Sequence, residues 1–179
     1  MIAAGISRVL YAETSLVTGD LTGAALKTII DAAVTAGHEV ENIHGETWNL
    51  EESEPNVTRY KNQLTGQNYR QDTVMGDIQA SFTIGKYDYQ TKANLMGGEI
   101  IKNGSEIVGW KRAAGAVEIY KCLICKTDDD QWCVFPKAAV VTRETNADKA
   151  IGLAVAGTAM EPDAEGARSE YWFDGSEVK

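Results

Sequence analysis

"GDIQASFTIGKYDYQTKANLMGG" (residues 76–98) holds the reading that decides the fold. Ile78, Ala80, Phe82 and Ile84 alternate with Asp77, Gln79, Ser81 and Thr83. A strand over this run therefore presents one apolar face and one wholly polar face. Asp88 is placed to cap a short helix that carries Tyr89, Ala93 and Met96 on one side, and Gly97-Gly98 ends it. A strand that is dry on one side and wet on the other belongs to an antiparallel sheet with a single buried face.

Upstream, residues 5–12 read as a first strand, and "GDLTGAALKTIIDAAVTAG" is the strongest helical pattern in the chain. Across 21–36, Leu26, Ile29, Ile30, Ala33 and Val34 recur at helical spacing, with Asp20 available as a cap and Gly37 past the end. Such an apolar stripe needs a sheet face to cover. Residues 39–50 look extended, anchored by Trp48. In "EESEPNVTRYKNQLTGQNYRQDT" (51–73) the large apolar residues are only Val57, Tyr60, Leu64 and Tyr69, among seven charges. A connection this long is unusual inside a compact domain, and it reads as either a docking arm or a floppy hairpin.

Downstream, "EIIKNGSEIVGW" is a hairpin turning at Asn103-Gly104. "AVEIYKCLICKT" and "QWCVFPKAAVVT" are strands joined by the turn Asp128-Asp129-Asp130, and "KAIGLAVAGTAM" is a further strand. A short "EYWF" follows a Pro/Gly/Ala-containing link and suits a strand closing a barrel edge. The expected fold is mainly β (α+β): an antiparallel barrel or sandwich of two packed sheets with one long and one short flanking helix. The 179 residues fit one domain, with a protruding loop at about 51–75 and a short tail from about 161.

The chemistry-bearing residues do not converge on a reaction. Cys122 and Cys125, three apart in a strand, point to opposite faces, and Cys133 makes an odd third, so packing is expected rather than zinc or a disulfide framework. His38 and His44 flank a loop or strand start, with no nucleophile in a recognisable arrangement. The Asp128–Asp130 run lacks the glycine and distal glutamate of a calcium loop, and Glu51, Glu52 and Glu54 read as a charged loop. No glycine-rich nucleotide motif occurs. No catalytic residue, metal or cofactor is expected. Seventeen basic against 26 acidic residues give a net charge of −9, which disfavours a clamp on nucleic-acid phosphates. No apolar run reaches 18 residues, so no membrane anchor is expected, and the opening "MIAAGISRVLYAETS" does not read as a secretory leader. The sequon-like Asn56-Val57-Thr58 and Asn103-Gly104-Ser105 then carry little meaning.

With its elements in order, the chain resembles the major tail tube proteins of long-tailed bacteriophages. Three stretches carry the resemblance: "GDIQASFTIGKYDYQTKANLMGG", "VEIYKCLICKTDDDQWCVFPKAAVV" and "KAIGLAVAGTAM", within about residues 75–160. The long helix over 21–36 is less typical of those proteins. The resemblance implies a structural protomer of hexameric rings that stack into a virion tail tube around a tape-measure protein. It also implies contacts with terminator or baseplate proteins, and DNA passing through without specific binding. Asp77, Gln79, Ser81 and Thr83 then become a candidate lumen or contact face. Glu51, Glu52, Glu54, Arg59, Tyr60, Lys61, Tyr69 and Arg70 become a candidate inter-subunit loop. The competing readings are a tube protein of a contractile injection or type VI secretion-like system, and a ligand-binding barrel or enzyme.

Overall fold

A computed structural model describes residues 3–179. Among these described residues the chain folds into eleven strands and two α-helices, and every strand pairing is antiparallel. The strands are β1 (Arg8–Ala12), β2 (Asn49–Glu52), β3 (Asn56–Lys61), β4 (Asn68–Val74), β5 (Ile78–Ile84), β6 (Glu99–Asn103), β7 (Glu106–Lys111), β8 (Ile119–Lys126), β9 (Gln131–Ala147), β10 (Ala150–Ala159) and β11 (Tyr171–Asp174). The helices are α1 (Gly23–Thr35) and α2 (Tyr89–Met96). The fold is mainly β with one long and one short helix, as the alternation and the two helical patterns predict.

One seven-stranded sheet organises the molecule, in the order β1-β8-β9-β10-β5-β2, with β11 also on β9. It curls until its two ends share a core. Val9 and Tyr11 of β1 lie in one buried cluster with Ala80, Phe82 and Ile84 of β5, together with Leu123, Phe135, Leu153 and Val155 from the strands between them. The barrel is not closed by a continuous ladder. Residues 38–44 lie across the gap and make single bridges to each side, Leu10 with Glu39 and Ile43 with Ile84. The extended reading of 39–50 therefore holds in pieces: a turn at Gly45-Glu46, with Glu46 at φ +62°, separates these bridges from β2.

The 17-residue β9 pairs with β8 along one edge, and with β11 and then β10 along the other. Pro136 sits where the second edge changes partner, between Val134 opposite Tyr171 and Ala138 opposite Ala159. The β8 ladder bulges at the same place, with Lys121 opposite Ala138 but Leu123 opposite Phe135. A proline has no amide to donate, so a bulge at a change of partner is where a long strand tolerates it.

α1 covers the outer face of β1, β8 and β9, burying Leu26, Ile29, Ile30 and Ala33 against Leu10, Cys122, Ile124, Trp132 and Val134. Full burial of each Leu or Ile is worth about 1.5–3 kcal/mol over exposure. Val34, expected in the stripe, is 45% exposed at the last turn. The cap differs too: Thr22 accepts from the Ala25 amide at 3.3 Å, whereas Asp20 accepts from the Tyr171 hydroxyl at 2.7 Å. In α2, Asp88 caps as expected, accepting from the Thr91 amide at 2.7 Å, and Gly97 and Gly98 end the helix at φ +75° and +94°. Its fully buried residue is Leu95, while Tyr89 is exposed. The tail from 161 is not peripheral: β11 joins the sheet, Tyr171 and Phe173 pack under α1, and Trp172 reaches the inner core.

Candidate assembly surfaces

The 51–73 segment is a regular two-stranded ribbon. β3 and β4 pair from Asn56 opposite Val74 to Lys61 opposite Asn68, with an irregularity at Tyr60/Lys61. Its root is pinned to the body: the Ser53 amide donates to the Asp77 carbonyl at 2.9 Å, and the Asp77 amide donates to Ser53 Oγ at 2.8 Å. Gly76 is confined there, because a Cβ would fall 1.8 Å from the Ser53 carbonyl oxygen. Glu51 and Glu52 correct the expected loop boundary. They lie in β2, opposite Gln79 and Ile78, and only Glu54 stands with the arm.

Side chains along the ribbon tie to one another. Arg59 Nε donates to Gln71 Oε1 at 3.2 Å, Arg70 forks onto Asp72 at 3.1 and 2.9 Å, and the Arg70 guanidinium lies 5.0 Å over the Tyr60 ring. Leu64 at the tip is 95% exposed, and Tyr69, Val74 and Met75 are each more than two-thirds exposed. From Asn56 to Gln71 the charges are Arg59, Lys61 and Arg70, with no acid, on a chain of net −9. An isolated two-stranded ribbon is marginally stable, and its outer edges carry unpaired backbone groups that suit another strand.

The polar face of β5 is brought into register with small and polar residues of its neighbours. Gln79 lies opposite Thr158 and Glu51, Ser81 opposite Ala156 and Asn49, and beyond β10 come Ala139, Val141 and Arg143 of β9. Gln79 Nε2 donates to Thr158 Oγ1 at 3.0 Å, and Val141 is 70% exposed. This is the half of the outer sheet face that α1 does not reach. Thr83 departs from the expectation of a wet residue, being only 9% exposed. Its amide donates to Thr47 Oγ1 at 3.0 Å and its carbonyl accepts from the His44 amide at 2.8 Å, so the turn after the gap-spanning segment covers it. Asp77 precedes the strand, at the arm root.

The hairpin expected at Asn103-Gly104 is present as a second ribbon, β6–β7, although its apolar residues do not alternate. Ile101, Ile107 and Val108 are between 37% and 48% exposed, and the ladder shifts at Ile101/Lys102. Its base is latched to α2 and β9. Trp110 Nε1 donates to the Gly97 carbonyl at 2.8 Å, Lys92 Nζ sits 4.2 Å over the Trp110 ring, and Glu144 accepts from Lys92 at 2.5 Å and Arg112 at 3.0 Å. Those contacts, led by the Lys92 hydrogen bond, hold the Glu144 carboxyl below its usual range.

The cysteines and histidines fall where packing places them. Cys122 faces the α1 side and Cys125 the inner core, as a strand requires, with Cys133 beside Cys125 in register. Burial pushes the Cys122 thiol up to about 12 and raises those of Cys125 and Cys133 still further. The Asp128–Asp130 turn ties down the chain ends: the Asp128 amide donates to the Ala4 carbonyl, the Ala4 amide to Asp129 Oδ2, and the Gly175 amide to the Asp130 carbonyl. Among the described residues, no helix is long and apolar enough to cross a membrane. Against protein-family models and curated protein sequences, the chain finds no match.

Proposed function

We propose that the chain is a structural protomer that assembles with copies of itself into rings and a tube, as in the tail of a long-tailed bacteriophage, and acts in the virion tail rather than as an enzyme. The observation that carries this reading is the β3–β4 arm: an ordered ribbon that projects from the body, pairs with itself, and exposes Leu64, Tyr69, Val74 and Met75 beside three basic side chains. Residues in such a ribbon lose conformational freedom with little burial in return. Contact with a neighbouring subunit supplies that burial, and the basic tip complements the acidic remainder of the chain.

The bare sheet half fits a tube wall. Gln79, Ser81, Ala156, Thr158 and Ala139 give a surface of small and polar side chains, with Arg143 and Glu51 as its charges, which is weakly adhesive toward passing phosphate. Partners in this reading are other copies of the chain, a tape-measure protein, and terminator or baseplate proteins. The test is negative-stain microscopy of concentrated protein, alone and with the arm replaced by a short turn. Rings or tubes from the intact chain that vanish on arm removal support the proposal. A chain that stays monomeric at every salt concentration and with tail partners present contradicts it.

A further inference from the structure

The segment that spans the barrel gap carries both histidines of the chain, one at each end. At the β1 end, the Tyr11 amide donates to the His38 carbonyl at 3.1 Å and the Val40 amide to the Val9 carbonyl at 2.9 Å. At the β5 end, the His44 amide donates to the Thr83 carbonyl at 2.8 Å and the Gly85 amide to the Asn42 carbonyl at 3.2 Å. A groove lies between Ile6–Val9 and the segment, lined also by Ile43, His44 and Trp48. Val40 and Ile43 rest only partly buried on the core. Four backbone bonds, two half-buried side chains and the ion pairs Arg8–Glu39 and Lys86–Glu41 make a lighter closure than the long ladders elsewhere.

The two imidazoles sit in different surroundings. His38 stacks on Tyr11 at 4.7 Å between ring centroids, and its Nε2 lies 3.3 Å from Asn94 Nδ2. Asn94 is oriented by its other contacts, its Oδ1 accepting from Gln90 and its Nδ2 donating to the Tyr11 hydroxyl. The amide nitrogen therefore donates to a neutral His38 Nε2, and a proton on that atom sets two donors face to face. His44 Nε2 lies 3.2 Å from Asp148 Oδ2 in the β9–β10 turn. We infer that residues 38–44 form a releasable strap that stays held at the β5 end and lets go at the β1 end when His38 takes up a proton. Release bares the outer edge of β1 for pairing with another strand.

The charged and titratable groups around His38 come from several elements. From β8 comes Lys121, hydrogen-bonded to Glu13 beyond β1, and Tyr11 stacks from β1 itself with Asp88 near it at the α2 cap. Along the strap, Glu39 is tied to Arg8 and Glu41 to Lys86. Burial first, and Lys121 second, hold the His38 imidazole below its ordinary value. A histidine whose folded value is lowered leaves the closure intact above the ordinary range and weakens it as pH falls through that range to the folded value.

Amide hydrogen exchange on the isolated protomer, corrected for intrinsic rates, tests this without reference to assembly. Between about pH 7.5 and pH 5 the protection of Tyr11 and Val40 is expected to drop roughly tenfold, while His44 and Phe82 change less than about threefold. In His38→Phe, which keeps a stacking ring but no titrating group, the drop at Tyr11 and Val40 disappears. Should that variant fail to fold, the wild-type His38 ring titration by NMR serves instead, its midpoint coinciding with the loss of protection. Equal pH sensitivity at both ends of the strap, an undiminished drop in His38→Phe, or a His38 midpoint unrelated to exchange overturns the inference.

Discussion

Placing lysine at successive outward positions of β5 separates the bare part of the sheet face from the covered part. Ser81 is half-exposed among Ala156 and Asn49, so the ammonium of Ser81→Lys extends into solvent over small neighbours. Thr83 is 9% exposed under Thr47 and the His44 backbone, so Thr83→Lys must bury an unpaired ammonium or lift the turn that covers it. The penalty for an unpaired buried charge is several kcal/mol, reduced here because the lysine stem can snorkel; about 3 kcal/mol is expected. At about 2–4 °C per kcal/mol for a chain of this size, Tm falls by about 6–12 °C. Gln79→Lys and Ser81→Lys stay within about 1 kcal/mol of wild type, as surface substitutions do. Urea and thermal melts of the three variants under one buffer decide it. A Thr83→Lys protein that melts with Ser81→Lys refutes the covered position of Thr83, and with it the described closure of the gap.

Further predictions address the arm, the thiols and the α2 latch. Replacing 56–74 with a short Gly/Ser turn, with Ser53, Gly76 and Asp77 retained, is expected to leave the body's Tm within about 3 °C, because loop closure depends weakly on length; a collapse in Tm would mean the ribbon is part of the core. The three cysteines are expected to resist a thiol reagent at about pH 8 in the native state and to react together on unfolding; rapid native labelling of any one contradicts its burial. Glu144 has a folded pKa below its unfolded value, so its contribution is present above the ordinary carboxylate range and lost as pH falls through the lowered value. Being partly exposed, that contribution is expected to stay under about 1 kcal/mol. Glu144→Gln should flatten this acid-side loss of stability and shift the fluorescence of the Trp110 environment; identical acid profiles argue against the latch.

The strand-and-helix alternation at 76–98, the β8–β9 turn and the opposed faces of Cys122 and Cys125 were legible because each rests on local period or local turn chemistry. What escaped depends on residues distant in sequence. Thr83 looks as polar as Ser81, but Thr47 and His44 arrive over it from a turn some forty residues upstream. Asp20 looks like the better cap, yet the Tyr171 hydroxyl claims it and leaves the helix to Thr22. The open barrel and its strap are equally hidden, since Glu39 and Ile43 make single bridges that leave no periodic mark. For the candidate surfaces, composition located the arm, while register was needed to move Glu51 and Glu52 into the sheet and to gather Ala139, Val141 and Ala156 beside Ser81.

The proposal that this chain builds a tube is tested most directly by electron microscopy of the purified protein at high concentration across a range of salt, with the arm-replaced variant imaged in parallel. Rings or stacked tubes with an open channel, absent in the variant whose body remains folded, are the predicted result. Monodisperse monomers throughout, or assemblies that form equally well without residues 56–74, would contradict it.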